Sequence, residues 1–341
     1  MINTDGTFIT NIIHHSVIQE ENAIINDQVF SLEDEKETDV LKKILLKPFT
    51  NHAVTFEFTH DVDLEYNVLF NLSRHLENGE DFVQKSQEIM QHLDSVSKHP
   101  NIKGGDVFIA EFRNIKLGND LLDGIGIYKF EEKEPFLETR IHENKLQQEF
   151  RKGFGTKKPD KACLILFTEE PYTLAVIDNH TKETNYWQND FIQLKPKNDF
   201  VNNTTDLLNI TKDFVTKQLD EDFEVSKADK IDLLNRSVEY FKGNETFDKS
   251  EFEEQVFGGD SDVIESFQSF DESYRQENNL EIAEKFEISE QAVKKQARAF
   301  KSVLKLDKNF HIYIHGDKKL IEKGVDNDGR KFYKIYFEEE K

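Results

Sequence analysis

A single cysteine among 341 residues excludes an intramolecular disulfide framework, a four-cysteine zinc site and a Cys-x-x-Cys redox centre. No strongly apolar run exceeds about six residues, around Ala162–Phe167, where a membrane helix needs roughly 20. The opening MINTDGTFITNIIHH has neither a basic start nor a long apolar stretch, so it does not read as a signal peptide. These absences predict a soluble protein of a reducing compartment with no membrane partner. The motifs HExxH, GxxxxGK[ST] and GxSxG and the EF-hand loop are all missing, which leaves an enzymatic reading without positive support. Cations are scarce too: 44 Lys and Arg face 67 Asp and Glu, a formal net charge of −23. Such a field repels phosphates and opposes non-specific binding to nucleic acid or to an anionic membrane.

What is abundant is phenylalanine, 29 residues against one tryptophan and two methionines, so the core is expected to lean on it. Hydrophobic residues make up 37% and charged residues 33%, above the range of disorder. The length suggests two domains, with a boundary near Lys195–Asn203. The pattern predicts an α+β fold: an antiparallel sheet flanked by helices, then a helical segment, then a C-terminal helix with a β-hairpin. Residues 1–198 are expected to form the sheet domain and 199–341 a mainly helical one. Val40, Leu41, Ile44 and Leu45 recur at helical spacing before Pro48, and Phe82, Ile89, Leu93 and Val96 repeat the pattern. Asp106–Arg113 and Gly124–Phe130, separated by a loop with Gly118 and Asn119, predict a hairpin. Ala162–Thr168, Tyr172–Asp178 and Thr184–Trp187 predict further strands. Later, Ser226-Lys-Ala-Asp229 reads as a capping box opening a helix that Gly243 should close at C′. Phe252, Val256 and Phe257 should form a helix ending at Gly258-Gly259, and Val263, Phe267, Phe270 and Tyr274 the face of another.

Few residues invite catalysis. Cys163 lies in an apolar strand pattern and reads as a buried structural thiol. His14-His15 lacks partners at ligand spacing, and Asp326-Asn-Asp328 runs into Asp-Gly, a turn signal better suited to a hairpin than to Mg²⁺. No metal or other cofactor is expected. Charge, however, is segregated. Leu219–Glu290 carries 22 acidic and seven basic residues, whereas Gln291–Phe337 carries 12 basic and five acidic. Arg140–Lys161 carries seven basic and three acidic.

Two basic places follow as candidate DNA contacts. The first is Arg151-Lys-Gly-Phe-Gly-Thr-Lys-Lys158, read as a loop between helix and sheet, with Arg151, Lys152, Lys157 and Lys158 towards phosphate and Phe154 free to stack. The other reading of that loop is a solvated connection. The second is a helix from Ser289 to Leu304, on which Lys294, Arg298, Lys301 and Lys305 fall within an arc of about 60° and Lys295 adds a cation. Upstream, Glu281–Ser289 followed by Glu290–Lys295 has helix-turn-helix spacing, with Glu287 where the turn glycine usually stands, and a following hairpin would be a wing. The alternative is a basic face that balances the acidic segment before it.

Several runs together resemble the bacterial nucleoid-associated proteins of the NdpA/YejK type. They are Lys98-His-Pro-Asn-Ile-Lys-Gly-Gly-Asp106, Tyr186-Trp-Gln-Asn-Asp-Phe191, Phe223–Asp232, and Ile288–Ala297 continuing through Leu306–Ile312 to His315-Gly316. The runs span most of the chain in the family's order. The resemblance implies a non-enzymatic, cytoplasmic protein of the nucleoid that associates with DNA, and it supplies no contact residues. The alternative is an acidic adaptor that joins the nucleoid by binding DNA-handling enzymes through Leu219–Glu290. Oligomeric state is not legible.

Overall fold

The computed structural model describes residues 2–19, 21–50, 54–118, 120–155, 157–179, 185–278, 280–297, 300, 303–306, 309–313 and 320–339, for 303–305 and 313 the backbone alone. The chain divides into two compact units, Met1–Lys197 and Asn198–Lys341. In order, the first unit contains β1 (Ile2–Asn3), β2 (Phe8–Val17), α1 (Glu35–Leu46), β3 (Phe56–Phe58), α2 (Val68–Glu77), α3 (Phe82–Val96), β4 (Gly105–Leu117) and β5 (Asp120–Phe130). It continues with β6 (Glu134–His142), β7 (Lys145–Gly153), β8 (Lys161–Leu166), β9 (Thr173–Asp178) and β10 (Leu194–Pro196).

Eight of these strands form one sheet in the order β1-β4-β5-β8-β9-β3-β10, with β2 also on β4, and every pairing is antiparallel. The period of two explains why both faces are buried. Val107, Ile109, Ile125, Ile127, Cys163 and Ile165 point to one face, where α2 and α3 supply Leu69, Phe70, Ile89 and Leu93. Their neighbours Phe108, Ala110, Tyr128, Ala162 and Leu164 point to the other, which α1 covers with Leu45 and Leu46. The expected hairpin is β4–β5, and the expected strands at 162–168 and 172–178 are β8 and β9. Thr184–Trp187 is not a strand: Thr184 lies outside the described residues, and Trp187–Ile192 forms a π-helical turn that buries Trp187 and Phe191. At the end of β8, the Lys161 ammonium is 2.6 Å from Asp178, both side chains almost wholly buried.

A hairpin that periodicity did not reveal stands apart from this sheet. Among the described residues β6 and β7 pair only with each other, from Glu134↔Gly153 to His142↔Lys145. Nearly every residue of the arm is exposed. Glu143 and Asn144 form its two-residue turn, both at positive φ, the geometry that matches strand twist.

The second unit contains α4 (Phe200–Asp213), which continues through a π-helical turn, Phe214–Gln218, into α5 (Leu219–Asp222). Then come α6 (Lys227–Gly243), β11 (Thr246–Asp248), α7 (Lys249–Phe257), α8 (Ser261–Asn278), β12 (Lys285–Glu287) and α9 (Glu290–Ala297). Two hairpins follow: β13 (Val303–Leu306) with β14 (Phe310–Tyr313), and β15 (Ile321–Val325) with β16 (Lys331–Ile335). Its core is a cluster of phenylalanines. Phe214, Phe252, Phe257 and Phe267 meet ring against ring at 4.8–6.2 Å, and Phe241 stacks on Phe247 at 5.6 Å.

The capping box at Ser226 forms in full: Ser226 Oγ accepts from the Asp229 N–H, and the Asp229 carboxylate accepts from the Ser226 N–H. α7 ends at Gly258 with φ +70°, as its sequence predicts. Gly243 does not serve as C′; it is the last helical residue, and the extended Asn244 closes α6. Glu281–Ser289 is not the first helix of a helix-turn-helix. Lys285–Glu287 is a strand paired with β11, because Phe286 docks on Phe247 with ring centroids 4.8 Å apart. The Asp-Gly hairpin turn is as expected, joining β15 to β16 with Gly329 at φ +79°.

Candidate nucleic-acid interface

α1 is the element that organises the basic surface of the first unit. Asp34 caps it, its carboxylate accepting from the Lys36 and Glu37 N–H groups, and Leu45 and Leu46 anchor it to the sheet. Pro48 halts it in a 3₁₀ turn, Lys47–Phe49, fixed by Phe49, which is fully buried with its ring edge-on to Tyr128. With the core contacts met by these residues, Val40 and Ile44 are left at the margin, beside Lys43 and Lys47 one turn apart.

A second segment approaches them. Phe154 packs against Phe130 and Phe108 at 4.8 and 5.4 Å, with the Lys133 ammonium over its ring at 5.3 Å. It is therefore a packed anchor and not the free stacking residue that sequence suggests. Downstream, Pro159 and Asp160 are buried, the Asp160 carboxylate accepting from the Glu131 N–H at 2.8 Å. Between these anchors, Gly155, Lys157 and Lys158 face α1 across a groove of about 430 Å³. Val40, Ile44 and Pro48 line the groove, and Lys43, Lys47, Lys157 and Lys158 ring it. No acidic residue lines it among the described residues. Lys157 lies 3.4 Å from Glu132, while Lys43, Lys47 and Lys158 form no ion pair among the described residues. Such ammoniums are point charges suited to phosphate oxygens.

The structure thus joins two of the sequence-derived candidates, Lys157 and Lys158, to two that were missed. Arg151 and Lys152 lie elsewhere, on β7 of the exposed arm and not in a loop. Cross-strand pairs share a face, so Arg151 stands with Glu138 and Glu149, 2.6 and 3.0 Å away, and its charge is neutralised there. Lys152 is on the opposite face, across from Pro135.

The expected basic helix is shorter than its sequence suggests. Ser289 does cap it, accepting from the Ala292 N–H at 3.3 Å, and Ala292 and Val293 are buried. The described part of the helix is Glu290–Ala297, however, and Lys305 lies in β13 opposite His311. Arg298 and Lys301 are outside the described residues. Lys305, in a strand, therefore does not continue a helical stripe from Lys294. Lys294 and Lys295 are exposed on α9, Lys294 paired with Glu290 at 3.0 Å.

The remaining chemical groups are engaged structurally. Burial pushes the Cys163 thiol well above its ordinary pKa. His14 is 2.7 Å from Asp106 and stacks on Phe108. His15 is buried, its Nδ1 accepting from the Asn26 N–H, and desolvation depresses its pKa to about 4. Among the described residues no group of three or more His, Cys, Asp or Glu side chains could hold a metal ion.

The pattern of one family, described as nucleoid-associated protein YejK, matches residues 12–331. The chain belongs to that family. Its role is accordingly that of a nucleoid-associated protein, and the matched span takes in most of both the sheet unit and the helical unit. No curated protein matches the chain. No helix among the described residues is long and apolar enough to cross a membrane.

Proposed function

We propose that this family member associates directly with DNA, and that the groove between α1 and the Gly155–Lys158 segment is its phosphate-contacting surface. One observation carries the reading. In a chain of net charge −23, four lysines from segments more than a hundred residues apart ring one groove, and three of them have no carboxylate partner among the described residues. Bringing like charges together has a cost that an anion in the groove removes. Phosphate contacts hold a protein on DNA without reading sequence, so binding is expected to be indifferent to base order. The net negative charge of the chain opposes contact over a wider surface. Lys294 and Lys295 of α9 are proposed as secondary contacts.

The test is titration of the purified protein, without partners, against fluorescent duplexes of unrelated sequence. With four phosphates neutralised, affinity should fall roughly 150-fold between 50 and 200 mM salt. No binding at 50 mM salt would refute direct association.

A second reading, the acidic adaptor, draws on α8. Its Asp262, Glu265 and Glu272 are exposed and fall within an arc of about 80°. A basic surface of a DNA-handling enzyme would dock there, and neutralising these three carboxylates should then abolish nucleoid recruitment while leaving DNA affinity unchanged.

A further inference from the structure

The β6–β7 arm is two-sided. On one face lie Glu138, Arg140, Glu149 and Arg151, tied to one another by ion pairs of 2.6–3.0 Å. On the other, Leu137 sits opposite Phe150, Ile141 opposite Leu146, and the neutral Thr139 opposite Gln148 between them. The four apolar side chains are 49%, 80%, 76% and 76% exposed, respectively. A lone two-stranded hairpin is marginal in water, and a contiguous apolar face of this kind marks an interaction site.

We infer that a second copy of this chain covers that face, the two arms packing apolar face to apolar face about a twofold axis near Thr139 and Gln148. Charge is compatible with this occupant: the three central cross-strand pairs carry none, so two copies of net charge −23 can meet there without setting carboxylate against carboxylate. Area agrees: four large side chains exposed to this extent present about 500 Å² per arm, so two arms bury about 1,000 Å², at the lower end for a specific interface. Geometry agrees as well, since two short sheets stack about 10 Å apart with side chains interdigitated. The inference does not depend on DNA binding.

Light scattering on the eluting full-length protein at micromolar concentration tests it. The expected mass is about 80 kDa, twice the 40.0 kDa of one chain. Ile141→Glu with Leu146→Glu, both at well-exposed positions, should give 40 kDa with an unchanged thermal melt. A second measurement uses engineered cysteines, since Cys163 is buried and unreactive. Gln148→Cys, on the apolar face, should cross-link into dimers under mild oxidation, and Gln147→Cys, on the polar face, should not. A monomeric wild type, a double variant that stays dimeric, or equal cross-linking at both positions would overturn the inference.

Discussion

Acid should loosen the sheet unit through one residue, His15. Its side chain is 1% exposed on β2, its Nδ1 accepts the Asn26 N–H at 3.1 Å, and its Nε2 is 3.4 Å from Ser86 Oγ of α3. Protonation would bury a charge and remove the acceptor, and burial together with the neighbouring His14 lowers its pKa from 6.5 to about 4. A histidine whose folded pKa is depressed favours the native state in its neutral form. Its contribution is therefore complete above pH 6.5 and is lost as pH falls from 6.5 towards 4. A pKa lowered from 6.5 to about 4 amounts to roughly 3 kcal/mol, of which about 2.5 kcal/mol is gone by pH 4.5. Trp187, the only tryptophan, is fully buried in the same unit and reports its unfolding by fluorescence. Unfolding free energies from urea titration for wild type and His15→Asn, which retains an acceptor but does not titrate, should converge by about 2.5 kcal/mol between pH 7.5 and 4.5. The titrating carboxylates are common to both proteins and cancel in the difference. Parallel pH curves, or a His15 imidazole that titrates near 6.5 by NMR in the folded protein, would refute the reasoning.

Two further perturbations probe each unit separately. Ser226→Ala removes one half of the capping box of α6 and should cost about 1 kcal/mol, read from chemical denaturation followed by far-UV circular dichroism; Ser226→Asp should restore most of it. Lys161→Met removes the ion-pair partner of the buried Asp178 carboxylate and should destabilise the sheet unit by about 3–5 kcal/mol in the Trp187 signal, with partial recovery in Lys161→Met/Asp178→Leu.

The sheet was legible where burial imposes a period. β4, β5, β8 and β9 alternate residues between two covered faces, and their Val, Ile and Phe content marks them as strands. Capping chemistry likewise located the starts of α6 and α9. The arm was hidden for the converse reason. Its strands pack on nothing within the described chain, and Gln147, Gln148, Glu149, Arg151 and Lys152 have the composition of a loop. Glu281–Ile288 shows how tertiary contact overrides local pattern: its apolar spacing fits a helix, but Phe286 gains more by stacking on Phe247 in a strand. The proposed groove was half legible. Lys157 and Lys158 stand in an obvious basic run, yet Lys43 and Lys47 lie among residues that look like one core-facing helix. Only the fold shows that Leu45 and Leu46 satisfy the core and leave Val40 and Ile44 beside a second segment.

The central claim is that the lysines of this groove hold DNA phosphates. Its most direct measurement is the salt dependence of DNA affinity for wild type against Lys43→Gln/Lys47→Gln/Lys157→Gln/Lys158→Gln, with Lys294→Gln/Lys295→Gln as the comparison. At a slope of about −0.9 per phosphate, the fourfold variant should lose about 3.6 from the magnitude of the slope, whereas the α9 variant should lose at most about 1.8. Gln keeps the helix propensity of Lys, so α1 should persist. A fourfold variant with wild-type affinity and slope would contradict the account.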